Sequence, residues 1–385
     1  MNMLRGVRRK SLRYCAGAVC LLVALLTWLI WRHESTRNHY LSLDLQRFAS
    51  DVAAADKVLL SPQDAHTVCT SHQFRTYRAK PRRKVFDLVL LSTELDWLEI
   101  RLNLLSAYVD YFVIVESPTT FTGKSKPLYL QEHWHLFQEF HHQIIHRVVE
   151  DPIQSARIWD HEDFFRDSLL HAVFPALAGA DKEARHGDVL IVSDMDEIVR
   201  PGTALVLRYC DIPARLTLRT DFYYYSFQWR HRGPQWAHPD ATIYQGKYTL
   251  SPNSLRADLL GPGIGGVAMA AFRRWWDRGT LWNAGWHCSS CFASVAEMRT
   301  KMHSFSHQGW NTPGNREAAV IMDRVRNGQD LFGRPGETYV RIDDNQDVPA
   351  YIRQQYAEGG RFKYMLDRDG VDAGFEDWNT TANEG

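Results

Sequence analysis

Asp194-Met195-Asp196-Glu197 sets three carboxylates within four residues, directly after the apolar run VLIVS. A strand ending in acids delivers them to one edge of a sheet, and acids at i and i+2 reach one site where the chain leaves the strand in a turn. Hard cations such as Mg²⁺ or Mn²⁺ take carboxylate oxygens and keep places for phosphate oxygens. A cation so held stabilises a leaving diphosphate, as sugar transfer from a nucleotide requires. Asp194 and Asp196 are therefore the candidate metal residues. The same spacing also suits a solvated acidic helix start, or a phosphohydrolase with Asp194 as its nucleophile.

A second cluster lies at residues 284–291, Ala-Gly-Trp-His-Cys-Ser-Ser-Cys. With His303 and His307, Cys288 and Cys291 give C-x₂-C-x₁₁-H-x₃-H, close to zinc-finger spacing. The segment lacks the apolar landmarks and basic helix of a finger. In an oxidising compartment the blander expectation is a disulfide. Cys288 and Cys291 pair with each other or with Cys69 and Cys210, and spacing leaves the connectivity open.

The N-terminus argues for that compartment. Arg5, Arg8, Arg9, Lys10 and Arg13 precede an uncharged run from Tyr14 to Trp31. Roughly 17–25 apolar residues span a bilayer, and basic flanks stay cytoplasmic. The expectation is a cytoplasmic tail (1–13), a signal anchor (14–31) and a stem (32–84), with the rest lumenal in the Golgi or ER as a single-pass type II protein. A cleavable signal peptide would need a small-x-small site after the run, and none is present. Cys15 and Cys20 fall inside the run as apolar fillers or palmitoylation sites. Asn379-Thr380-Thr381 is an N-glycosylation acceptor, in keeping with a lumenal tail at 371–385. With 45 basic and 45 acidic side chains the net charge is zero, which gives no electrostatic case for nucleic acid as a partner.

The elements that must position the acids are short apolar runs alternating with helical patterns. Phe86–Leu91, Tyr111–Glu116, Ile144–Val149 and Asp188–Ser193 read as strands buried on both faces of a parallel sheet. Leu95, Leu98, Leu102 and Leu105 recur at helical spacing, with Arg101 among the polar positions, and residues 160–178 read as another helix. This is a doubly wound α/β pattern, whose ligands bind at the carboxyl ends of the strands. Ser92–Glu94, Glu116–Gly123 and Asp194–Glu197 then matter most. Leu216–Phe227 and Ile264–Phe272 read as further strands of a mixed sheet.

Three blocks resemble glycosyltransferase family 17: residues 86–130, residues 188–201 (DVLIVSDMDEIVRP), and residues 284–292 (AGWHCSSCF) with Ser306-His307 after them. A weaker echo covers 351–370, so the similarity spans about 86–370. The resemblance implies a single GT-A-like (Rossmann-like) α/β domain, residues 85–370, with a mixed, mostly parallel sheet, preceded by one transmembrane helix. It implies an inverting transferase using UDP-GlcNAc and Mn²⁺ or Mg²⁺ on a glycan or glycoprotein acceptor, such as the β-mannose of an N-glycan core in β-1,4 linkage. Asp194 and Asp196 carry over as the metal and donor-diphosphate residues, with Glu197 beside them. Glu116, Thr120, Thr122 and Gly123 line the donor site by the same resemblance. Residues 202–283 share little with the best-known member of the family and should shape the acceptor pocket. Inversion needs a base, and the candidates are Asp221, Asp258, Asp277 and His287. A glycan-binding protein that has lost catalysis is the other alternative.

Overall fold

The computed structural model describes residues 17–30, 38–42, 45, 59–79, 81–261, 265–304 and 308–378. The chain divides into Met1–His39 and Tyr40–Gly385. In the first unit, residues 17–30 are helical with exposed apolar side chains. Among the described residues no helix is long and apolar enough to cross a membrane. Residues 14–16 and 31 of the expected anchor lie outside the described residues, as do Asn379 and His307.

The second unit is built on a large mixed sheet. Its parallel part comprises β1 (Val85–Leu91), β2 (Tyr111–Glu116), β3 (Ile144–Val148) and β4 (Val189–Ser193), in the spatial order β3-β2-β1-β4. The first crossover carries α2 (Leu95–Leu105) and the last carries α3 (Ile158–His171). Strand alternation explains the near-continuous apolar runs. Val85, Val89 and Leu91 of β1 join a core that includes Leu98, Leu102 and Leu105 of α2. Phe86 and Leu88 point the other way, into a core with Leu169 and Leu170 of α3.

Beyond β4 the sheet turns mixed. After β5 (Glu197–Val199) and α4 (Pro201–Tyr209) come β6 (Arg215–Tyr224), β7 (Ser226–His231) and β8 (Asp240–Ile243). β8 runs antiparallel to both β4 and β6. β9 (Arg278–Ser289) lies parallel to β6, so β4, β6 and β9 end at the same edge. Between β8 and β9 lie α5 (Pro252–Arg256) and α6 (Gly266–Trp276); then follow α7 (Val295–Ser304), α8 (Ala318–Asn327), β10 (Tyr339–Arg341) and α9 (Ala350–Gly359). α6 corrects the strand expected at Ile264–Phe272. An apolar run of this length flanked by glycines does not distinguish strand from helix.

The folded body reaches past both expected boundaries. α1 (Pro62–Ser71), within the expected stem, has Val68 and Cys69 in the main core, and Cys69 is disulfide-bonded to Cys210. Near the C-terminus Ala373 and Phe375 are buried, and Asp377 accepts the Val295 and Ala296 amides that open α7. Cys288 and Cys291 are bonded to each other, which consumes both thiols the zinc alternative requires.

Candidate functional site

A cavity of about 600 Å³ opens at the carboxyl edge of the sheet. Glu94 follows β1, Glu116 ends β2, Asp194 and Asp196 follow β4, and His287 comes from β9. α3 adds Arg166 and α7 adds Lys301. In the order β3-β2-β1-β4 the strand sequence reverses between β1 and β4, which is where an open α/β sheet forms its crevice.

The D-x-D turn rests on a buried cation. Arg101 of α2 is fully buried, and its guanidinium pairs with Asp87 of β1 at 2.7 Å. It also donates to the carbonyl oxygens of Asp194 (2.9 Å), Met195 (3.2 Å) and Glu197. Arg101 therefore belongs inside, not among the polar positions of its helix. No periodicity marks it, because its partner sits on another element.

The three acids of the motif differ in what surrounds them. Glu197 is wholly buried and accepts from Arg256 (2.7 Å), Trp236 Nε1 (2.7 Å) and the Asp194 amide (2.9 Å). Burial alone would raise its pKa, but the Arg256 charge holds it well below the carboxylate range. It braces the turn and does not line the cavity. Asp194, its side chain 41% exposed, bridges Arg256 (2.9 Å) and Arg166 (3.3 Å). Burial opposes its ionisation, yet the two arginines keep its pKa lowered. Asp196 has its nearest basic groups farther off, His287 Nε2 at 3.7 Å and Lys301 Nζ at 4.0 Å, and burial pushes its carboxyl upward.

A buried carboxylate short of positive charge favours an added cation. Asp196, with the accessible Asp194 beside it, therefore fits one wall of a Mg²⁺ or Mn²⁺ site. Such ions need only one or two carboxylates when phosphate oxygens and water complete the shell. Among the described residues no three His, Cys, Asp or Glu side chains form a metal-holding group by themselves. Oxygens of a bound phosphate group and of water would complete such a site.

Of the four base candidates, only His287 reaches this cavity. It stacks on Phe222 at 4.9 Å, and its buried Nδ1 has no hydrogen-bond partner. Gly285 permits this: a Cβ there would lie 2.2 Å from the Ile198 carbonyl oxygen of β5. Asp221 is buried against Arg230 (2.6 Å) and Arg200 (3.6 Å). Asp258 pairs with Arg274 at 2.9 Å, and Asp277 lines a different cavity. Ion pairing takes Asp221 and Asp258 from the site and position takes Asp277, and linear spacing gave no sign of either.

Of the expected donor-site residues, Glu116 and Thr120 line the cavity. Glu116 pairs with His146 at 2.7 Å and accepts the Leu130 and Gln131 amides. Thr122 and Gly123 lie behind Thr120, with Thr120 Oγ1 to Thr122 Oγ1 at 2.9 Å and Gly123 at φ +75° closing the turn. The remaining wall comes from residues the sequence reading left unassigned. Lys301 pairs with Glu94 at 3.2 Å, and despite burial the Glu94 and Asp196 charges raise its pKa. Glu337 faces the cavity with its Oε2 3.0 Å from His231 Nε2. Glu94 had a signal, standing directly after a strand; Glu337 and Lys301 had none.

Human β-1,4-mannosyl-glycoprotein 4-β-N-acetylglucosaminyltransferase is 27% identical over 316 residues, covering 75% of this chain and 56% of its own length. The rat enzyme of the same name is also 27% identical, with 75% and 55% covered. The chain thus spans little more than half the length of these curated relatives. A mannosyltransferase from Pyrobaculum calidifontis, solved with GDP-Man and Mn²⁺, aligns over 83% of this chain and 81% of its own at 13% identity. Its TM-score of 0.31 is too low to bear on fold or chemistry. The profile of glycosyltransferase family 17 matches residues 21–259 and 270–354, a range that includes every strand end at the cavity, and on that match the protein belongs to glycosyltransferase family 17.

Proposed function

We propose that the protein is an inverting glycosyltransferase that moves N-acetylglucosamine from UDP-GlcNAc to a glycan acceptor, with the β-mannose of an N-glycan core, in β-1,4 linkage, as the acceptor to test first. The observation that carries the reading is the D-x-D turn of a family 17 chain opening onto a cavity of about 600 Å³. Residues 14–31 are read as the signal anchor of a Golgi or ER protein, with the cavity lumenal.

Asp194 and Asp196 would hold a divalent ion, which when bound supplies positive charge at the leaving diphosphate. Lys301 and Arg166 add fixed positive charge on the same wall. The base is assigned to Glu337. The other cavity carboxylates are engaged: Glu94 by Lys301 and the Ser92 and Thr93 amides, Glu116 by His146, Glu162 by Arg166. Glu337 is about one-third exposed. His231 Nδ1 accepts the Gly233 amide, so the ring's proton lies on Nε2 and is donated to Glu337, holding the carboxylate in place. Glu337 takes the proton of the acceptor hydroxyl as that oxygen attacks the anomeric carbon. Phe222 and Trp236 offer aromatic faces for sugar rings.

Calorimetric titration tests the donor half directly. UDP-GlcNAc should bind wild type in the presence of Mn²⁺, and Asp196→Asn should lose most of that gain. Equal binding with and without Mn²⁺, in both proteins, would overturn the metal assignment.

A further inference from the structure

α6 carries its apolar side chains out of the fold. Its sequence is GVAMAAFRRWW, yet Ala270 is the one residue it buries. Val267 is 76% exposed, Phe272 50% and Met269 43%, and Leu259 just upstream is 49% exposed. Phe272 lies parallel to Trp276, ring centroids 5.9 Å apart. An apolar surface of this kind is costly in water unless something covers it. Beside it Arg215, Arg274 and Arg278 crowd around Asp258 at 3.6, 2.9 and 3.5 Å. Arg215 is buried and also donates to the Ser254, Leu259 and Leu260 carbonyls, which leaves the exposed Arg273 and the half-exposed Arg274 and Arg278 against Asp258 and Asp277 on the wall and rim of a second cavity of about 560 Å³. The helix dipole accounts for cations in the last turn of α6. It does not account for Arg278, which lies outside the helix. The family match breaks over residues 260–269, so the family pattern does not explain the start of this helix.

We infer that α6 is an interfacial membrane-docking helix, its apolar face entering the headgroup boundary of a bilayer and the flanking arginines meeting lipid phosphates. A short helix with aromatic and aliphatic side chains on its exposed face and arginines at its end has the make-up of an element lying in the membrane plane. Aromatic side chains favour that boundary, and guanidinium forks match phosphate oxygens. The charge excess fits an anionic headgroup better than the apolar surface of a protein partner. That a bilayer is within reach rests on reading residues 14–31 as an anchor. β9 begins beside α6 and carries His287 to the cavity nine residues later, roughly 30 Å at the rise of a strand. Docking would therefore hold the sugar-transfer cavity away from the lipid, open to acceptors on other molecules.

The test uses the full chain in vesicles of phosphatidylcholine, with and without phosphatidylserine. Single nitroxide labels are placed at Val267→Cys, Phe272→Cys, Val23→Cys and, as a surface control, Arg326→Cys, with Cys15 and Cys20 replaced by serine. Oxygen concentrates among acyl chains and a nickel chelate stays in water, so collision with each reports the surroundings of the label. At 267 and 272 the ratio of oxygen to nickel accessibility should be several-fold above the control. It should rise further with phosphatidylserine, and Arg273→Glu with Arg278→Glu should abolish that rise. Nickel accessibility equal to the control would overturn the inference. Low accessibility to both quenchers would also overturn it, by showing a protein surface over the helix. The label at Val23 decides the anchor separately, so loss of either reading is distinguishable from loss of the other.

Discussion

At the scale of single residues the site depends on Arg101, which ties a strand carboxylate to the backbone of the D-x-D turn from underneath. Arg101→Met leaves Asp87 buried without its cation and frees the carbonyls above. Breaking a buried pair of this kind costs about 3–5 kcal/mol, and urea unfolding should show a loss of that size; a change below about 1 kcal/mol would mean that the pair does not support the turn. Glu337 carries a different expectation. Glu337→Gln keeps shape and hydrogen bonding but removes the base, so kcat should fall by about 10²–10⁴ while KM for the donor stays near wild type. His287→Ala should instead weaken metal-dependent donor binding, since His287 Nε2 lies 3.7 Å from Asp196. A drop in kcat alone for His287→Ala, with Glu337→Gln fully active, would exchange the two roles.

Among the elements, β9 and α1 hold the frame that presents these residues. Gly285→Ala drives a methyl group against the β5 backbone. The expected result is a marginally folded protein in which β9 no longer presents His287, read as a lowered melting temperature and lost donor binding together. The Cys69–Cys210 disulfide closes a separation of 141 residues between α1 and the end of α4. Cys69→Ala with Cys210→Ala should lower unfolding free energy by about 3–5 kcal/mol, measured by denaturant titration under non-reducing conditions. The parallel strands were legible because burial on both faces writes a continuous apolar run. The sheet edge that gathers the acids followed from those strands. Arg101 and Glu337 were not legible, since each owes its role to a partner on another element. α6 was misread because its apolar residues face outward, and no buried stripe records the helical period.

For the molecule as a whole, acid stability turns on ion pairs that join distant segments. Asp347, just before α9, pairs with Arg200 beside α4 and accepts from Trp286 Nε1 of β9. Burial would raise its pKa, but Arg200 holds it lowered. A carboxyl depressed on folding stabilises fully above its unfolded value, about 3.9, and that contribution is lost as pH falls through the depressed folded value. Asp347→Asn should therefore destabilise at neutral pH and flatten the fall in urea midpoint below about pH 4; an unchanged acid limb would remove the pair from the account. The central claim, sugar transfer at the D-x-D cavity, is reached most directly by measuring UDP release from UDP-GlcNAc in the presence of N-glycan core acceptors, with and without Mn²⁺, for wild type and Asp196→Ala. The account predicts acceptor-stimulated, Mn²⁺-dependent release by wild type and its loss in the variant. Release that ignores Mn²⁺ and survives Asp196→Ala would contradict it.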